Sequence, residues 1–297
     1  MPLNDTSRLT EFKPSKEYFV GVDSDGCVFD NIGIKQEGCF CPLMIGYFGL
    51  QPVARAARQC KVFADLYSNT RGSNRHITIV RILEELLPSH PMVKVRAFNV
   101  PDFSHYSAWI KDPDSLLSNR GLRNAVEAAT SDETKHQLGQ ALAWSLRVDE
   151  MVREIVKGIP PIPGVRDSLS ILQDKADIMV CSSTPVEALD RYVQLIVGQE
   201  LGTKAEHLEL ATRGKYDKAR VLMIGDAPGD GKAAQTVGIL FYPIIPGQEV
   251  ESWTRLCNEA MDKFLSQTYA GPYQQKLLRE FEACLPDKPS WSYNDSL

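Results

Sequence analysis

From Tyr18 the chain reads Tyr-Phe-Val-Gly-Val-Asp-Ser-Asp-Gly, an aromatic and β-branched run that stops at Asp23, Ser24 and Asp25 before Gly26 breaks the pattern. Such a run predicts a short buried strand, Tyr18 to Val22, that ends in two carboxylates. Residues 1–16 are polar, include Pro14 and read as an extended lead-in; residues 31–41 carry Gly33 and Gly38 and read as a linker. The spacing then turns helical. Val53, Ala56, Ala57, Cys60, Phe63, Ala64 and Tyr67 fall on one helical face, as do Ile77, Val80, Ile82, Leu83, Leu86 and Leu87 before Pro88 and Pro91. Residues 102–118 are ambiguous and fit two short helical turns. Ser131, followed by Asp132 and Glu133, opens the clearest helix, with Leu138, Ala141, Leu142, Val148, Val152, Ile155 and Val156 along it and Gly158 after it.

The stretch Ile159-Pro-Pro-Ile-Pro-Gly-Val165 is a stiff, turn-prone hinge. Beyond it strand and helix signals alternate, which predicts a parallel sheet. The expected elements are a helix Val165–Asp174, a strand Ala176–Cys181, helices Pro185–Val197 and Ala205–Ala211, and a strand Val221–Gly225. A helix Lys232–Val237, a strand Ile239–Tyr242 and two helices near 250–266 and 272–284 follow, and residues 286–297 read as a loose tail. The expectation is an α/β, Rossmann-like core domain of residues 1–32 and 159–297, interrupted by an all-helical domain of residues 33–158.

Composition narrows the classes. A hydrophobic share of 43% with 24% charged residues is that of a globular chain, and a net charge of −5 argues against a nucleic-acid partner. No apolar run approaches the length of a membrane span, and Met-Pro-Leu-Asn-Asp-Thr does not open a signal peptide, so a cytoplasmic protein without a membrane partner is expected. The seven cysteines, odd in number and scattered, read as free thiols. Cys39 and Cys41 lack a second Cys/His pair at zinc spacing. Oligomeric state is left open.

The candidate chemistry lies where strands run out. Asp23 and Asp25 are costly there unless a cation or a reaction uses them. Ser182-Ser183-Thr184-Pro185 follows the second strand. A hydroxyl beside the N–H groups of a following helix can hold a phosphate oxygen, and Ser183 or Thr184 serves equally as a helix N-cap. Lys204 opens a predicted helix, where a cation opposes the helix dipole and an anionic partner explains it better. Lys215 and Lys218 are its rivals. The strand Val221–Gly225 ends in Asp226, with Asp230 after a turn. Acid-rich ends on neighbouring strands make a hard-oxygen site suited to Mg²⁺. Gly231-Lys232 is not a phosphate-binding loop, because Ala233 stands where Ser or Thr is required.

Taken together, Val22-Asp23-Ser24-Asp25-Gly26-Cys27-Val28, Ser182 after its strand, Lys204 at a helix start 22 positions before Asp226, and Gly225-Asp226-Ala227-Pro228-Gly229-Asp230 resemble the four motifs of the haloacid dehalogenase superfamily. Cys27 departs from the usual Thr or Val. The resemblance implies Asp23 as nucleophile, Asp25 as acid and base, and Ser182, Ser183 and Lys204 as phosphate ligands. It implies a Mg²⁺ cofactor held by Asp23, the Asp25 carbonyl, Asp226 and Asp230, and a helical cap between the first two motifs. Dehalogenases and phosphonatases of the superfamily lack the second aspartate, so Asp25 favours phosphoryl chemistry. The expected function is Mg²⁺-dependent hydrolysis of a small phosphorylated metabolite through an aspartyl-phosphate. A phosphomutase and a non-catalytic phospho-ligand-binding protein are the alternatives. In the cap, Arg71 and Arg75 are candidates to grip a substrate anion, against a solvated basic loop.

Overall fold

Strand β1, Tyr18–Asp23, carries side chains to two faces in turn. Val20 and Val22 go to one core, with Ile178, Val180, Leu222, Ile224 and Trp253. Phe19 goes to the other, with Met179, Met223, Leu208, Phe241 and Phe281. A strand buried on both faces needs neighbours on both edges, and β1 has them. Its partners are β2, Ala176–Cys181, and β4, Val221–Gly225, both parallel to it. β3, Leu195–Val197, and β5, Leu240–Pro243, complete a five-stranded all-parallel sheet in the order β3-β2-β1-β4-β5. The structure is a computed structural model that describes residues 7–181, 193–197 and 202–291.

The order places β1 where the chain winding reverses: β2 and β3 build outward on one side, β4 and β5 on the other. Parallel strands put all their C-terminal ends on one edge, and the crevice at such a reversal is where open α/β sheets bind ligands. Register sets Val22 beside both Val180 and Ile224, so Asp23 leaves the sheet level with Gly225, one residue before Asp226. Helices Val165–Leu172 and Glu249–Arg255 cover one face, and Lys204–Thr212 and Pro228–Val237 the other.

Three local expectations change. Val193 to Val197, read as the end of a helix, holds β3, while the preceding residues 185–192 lie outside the described set. Its apolar run is too short for periodicity to separate edge strand from helix. The expected linker at 31–41 contains a π-helix, Ile34–Phe40, running into the helix Cys41–Tyr47. Cys39 and Phe40 are buried there, so packing overrides the poor propensity of Gly33 and Gly38. Within the expected lead-in, Ser7–Glu11 is a short helix that buries Leu9.

The chain divides into two compact units, Met1–Ile32 with Ile159–Leu285, and Gly33–Gly158 with Pro286–Leu297. The second unit contains no strand between residues 33 and 158. Its core gathers Phe48, Tyr106, Trp144, Met44 and Leu122 among helices that include Ala54–Leu66, Arg75–Arg81, Ser104–Lys111, Asn119–Ala128 and Asp132–Ile155. Ser131 caps the last of these, accepting from Thr134 N at 3.1 Å. The tail from Pro286, expected with the α/β part, packs here instead. Trp291 lies against Phe63 and His90, with ring centroids 5.9 and 4.6 Å away, and Asp287 pairs with Arg81 at 3.2 Å. An aromatic and a carboxylate found partners that a polar, proline-rich sequence does not advertise.

Candidate functional site

Four charged groups converge beyond the C-terminal ends of β1 and β4. Asp23 ends β1, Asp226 follows β4, and Asp230 sits in the first turn of the helix Pro228–Val237. Each offers a carboxylate oxygen within 4.8 Å of the others, and all three are buried. Lys204 arrives from the other side of the crevice. Its helix opens with a capping box: Thr203 Oγ1 accepts from Glu206 N at 3.2 Å, and Thr203 N donates to Glu206 Oε2 at 2.7 Å. That box fixes the helix start, and Lys204, the first residue inside it, extends its ammonium to Asp23 Oδ2 at 2.9 Å and to Asp230 Oδ1. The rivals go elsewhere. Lys215 donates to the Leu9 and Leu210 carbonyls and Lys218 to the Val237 carbonyl.

Asp230 is held twice, by Lys204 and by Ala227 N, which donates to its Oδ2 at 3.1 Å. An anion in a helix's first turn also meets the dipole favourably. The close approach depends on Gly225, because a Cβ there would stand inside the Asp230 carboxyl group. Asp25 lies beyond Asp23 in a turn that Gly26 enters at φ +80°. Val28 N and Phe29 N both donate to the Ser24 carbonyl at 2.9 Å, and Asn31 Nδ2 donates to Asp25 Oδ1 at 2.6 Å.

Electrostatics mark the cluster as short of positive charge. Burial pushes the Asp23 carboxyl well above its ordinary range; Lys204 opposes the rise, and Asp230 and Asp226 add to it. For Lys204 burial acts downward, but Asp23 and Asp230 outweigh it and hold the ammonium charged well above its usual range. Three carboxylates against one ammonium leave a formal charge near −2, which one divalent cation offsets. Oxygen-only donors at this spacing fit Mg²⁺, with Asp23, Asp226 and Asp230 as its holders. Cys27 and Cys181 flank the cluster, and burial first, then the carboxylates, drives both thiols upward, so neither is an activated nucleophile.

The remaining sequence candidates fall differently. Ser182 and Ser183 lie outside the described residues. Arg71 is buried and donates to the Leu66 carbonyl at 2.9 Å. Arg75 pairs with Asp149 at 2.7 Å, reaches Ser145 Oγ at 3.1 Å and stacks over Phe40. Both guanidiniums have partners within the helical unit. Asn31 was not singled out from sequence, since nothing in its spacing distinguishes it from a turn residue.

No family model matches the chain, and no curated protein matches it. Its structure is similar to a 2-haloacid dehalogenase from Pseudomonas syringae pv. Tomato, at 20% identity and TM-score 0.35 over 80% of this chain and 99% of that one. It is also similar to a haloacid dehalogenase-like family hydrolase from Xanthomonas campestris, at 12% identity and TM-score 0.43 over 86% and 95%. A third likeness is to a HAD-superfamily hydrolase, subfamily IA, from Geobacter sulfurreducens, at 11% identity and TM-score 0.33 over 77% and 88%. At these identities and scores the likeness says nothing of substrate or reaction.

Proposed function

We propose that the chain is a Mg²⁺-dependent hydrolase of phosphate monoesters that works through a phosphorylated Asp23. The observation that carries this reading is the Lys204 ammonium set between Asp23 and Asp230, with Asp226 beside them, at the sheet's point of reversal. A carboxylate is a poor partner for a phosphate dianion unless fixed positive charge stands beside both. Lys204 supplies one such charge, and a bound Mg²⁺, held by Asp23, Asp226, Asp230 and the Asp25 main-chain carbonyl, would supply the rest.

An oxygen of Asp23 forms a bond to phosphorus as the bond from phosphorus to the ester oxygen breaks. Asp25 gives a proton to that oxygen, which leaves as an alcohol. Water then bonds to phosphorus and gives a proton to Asp25, the bond to Asp23 breaks, and inorganic phosphate departs with both side chains restored. Lys204 holds Asp23 in line and stabilises the charge on the transferring group. The second aspartate after β1, Asp25, supports phosphoryl transfer over carbon–halogen cleavage, and the substrate class is a small phosphorylated metabolite.

The test uses the full chain with p-nitrophenyl phosphate and Mg²⁺. Turnover should need Mg²⁺, stop on chelation, and fall by several orders of magnitude in Asp23→Asn. Undiminished turnover in that variant sinks the mechanism. Independently of turnover, Mg²⁺ should raise the melting temperature of the unmodified protein and do so much less in Asp226→Asn.

A further inference from the structure

Lys204 is the first residue of its helix, where the positive end of the helix dipole works against an ammonium. The next turn is fixed from behind. Leu208 is buried in the core with Phe19 and Met223, and it lies so close to β1 that a Cβ on Gly21 would stand 2.7 Å from its Cδ2. Of the first-turn residues Lys204, Ala205 and Glu206, only Ala205 packs against that apolar core. What holds the turn is a closed ring of bonds between Thr203 and Glu206. Glu206 Oε2 accepts from Thr203 N at 2.7 Å and from Thr203 Oγ1 at 3.0 Å, and Thr203 Oγ1 accepts from Glu206 N at 3.2 Å. The bonds from the Thr203 backbone first, then its hydroxyl, keep the Glu206 carboxyl below its ordinary range. Gly202 leaves room for the ring: it sits at φ +134°, and a Cβ on it would stand 2.7 Å from Glu206 Oε2. Thr203 and Glu206 are both exposed, so the ring fills no core; what it sets is where the helix starts.

We propose that Glu206 is a positioning residue for phosphoryl transfer: through Thr203 it holds the first turn of the helix, and with it the Lys204 ammonium, at Asp23 and Asp230. The inference rests on the phosphatase reading. Lys204 Nζ stands 2.9 Å from Asp23 Oδ2 and also meets Asp230 Oδ1. With the ring opened, the first turn frays as an uncapped helix end does, and the carboxylate that offsets the dipole beside Lys204 swings away. The root of the Lys204 side chain then moves, while Asp23 and Asp230 stay with the sheet and the neighbouring helix. The ammonium spends less time between them, and the transferring group loses a fixed positive charge at the moment it is needed.

The experiment compares the unmodified protein with Glu206→Leu, Glu206→Gln, Thr203→Val, Thr203→Ser, Lys204→Ala and the Lys204→Ala/Glu206→Leu pair, each well below its melting temperature. Single-turnover release of p-nitrophenolate from p-nitrophenyl phosphate is followed with Mg²⁺. In parallel, without ester, acetylation of Lys204 by acetic anhydride is read by mass spectrometry. Glu206→Leu and Thr203→Val cannot form the ring and should slow release by about 10-fold with KM little changed. Both should acetylate Lys204 several-fold faster, with the exposed Lys276 unchanged. Glu206→Gln and Thr203→Ser keep the ring and should recover most of the rate. In the Lys204→Ala background, Glu206→Leu should add nothing, because no ammonium is left to place. Undiminished release in Glu206→Leu and Thr203→Val, slower release without faster acetylation of Lys204, or an additive loss in the double variant overturns the assignment and leaves the phosphatase reading standing. If Glu206→Leu does not fold, Thr203→Val and Thr203→Ser decide by the same rates and acetylation. Failure of the unmodified protein to release p-nitrophenolate with Mg²⁺ overturns both.

Discussion

Gly225 shows how one missing carbon sets a site. A methyl group there would occupy the space of the Asp230 carboxyl, and Asp230 cannot retreat without leaving Lys204 and Ala227 N. Gly225→Ala should remain folded and lose about 10²-fold in turnover, with a smaller Mg²⁺-induced rise in melting temperature; turnover equal to the unmodified protein would show that Asp230 tolerates displacement. His76 gives a second test. It is buried beside Trp109 and Trp144 with Nδ1 2.7 Å from Tyr106 Oη, and burial first, then Arg75, brings its pKa down to about 3. The unfolded ring takes a proton near pH 6.5, so the stability His76 contributes is whole above that pH and is lost as pH falls toward 3. Between pH 7 and 5 the helical unit should lose about 2 kcal/mol more than a His76→Phe variant does, read from urea unfolding by tryptophan fluorescence. Equal losses would show that the ring is not kept neutral. Asp23, Asp226, Asp230 and Lys204 were legible in the sequence because each stands where a strand or helix pattern breaks. The partners of Arg71 and Arg75, a carbonyl 5 residues away and a carboxylate 74 residues away, were not legible, because charge and a loop position say nothing of either.

At the scale of elements, the sheet was readable wherever four or more apolar residues ran together, as in β1, β2 and β4. It was not readable in β3, whose three residues are a strand only because Met179 to Cys181 pair with them. The π-helix at Ile34–Phe40 was hidden for the same reason: tertiary burial, not local preference, makes it. Asp177 shows what fastens one element to another. At the start of β2 it accepts from Ser15 N at 2.9 Å, Lys16 N at 3.0 Å and Tyr216 Oη at 2.6 Å. Burial raises its pKa, but these bonds, led by Ser15 and Tyr216, more than reverse the rise, so the group is a carboxylate in the fold. Asp177→Ala should destabilise the α/β unit by about 2–4 kcal/mol by leaving those donors without their acceptor, a loss measurable by chemical denaturation. A change below about 0.5 kcal/mol would mean that water replaces the carboxylate there.

Across the whole molecule the chain passes between the two units three times, after Ile32, Gly158 and Leu285. The last passage brings Asp287 to Arg81 and Asn69, and Trp291 to Phe63 and His90. A chain ended at Leu285 should lose hydrogen-exchange protection in Ala54–Leu66 and Arg75–Arg81 and about 1–2 kcal/mol from the helical unit; unchanged protection there would show that the segment adds no stability. The central place of β1 has a consequence for synthesis. It leaves the ribosome first, yet β2 follows it by about 150 residues and β4 by about 200. At the usual elongation rates of about 5–20 residues per second, the strand that ends in Asp23 waits roughly 10–40 s for its second neighbour. Until β2 appears both edges of Tyr18 to Val22 are open, and until β4 appears one of them still is, while the helical unit after it already has nearly all of its own sequence. The nascent chain should therefore bind holding chaperones through Tyr18–Asp23, and polar substitutions at Phe19 or Val20 should weaken that binding before they are felt in the finished fold.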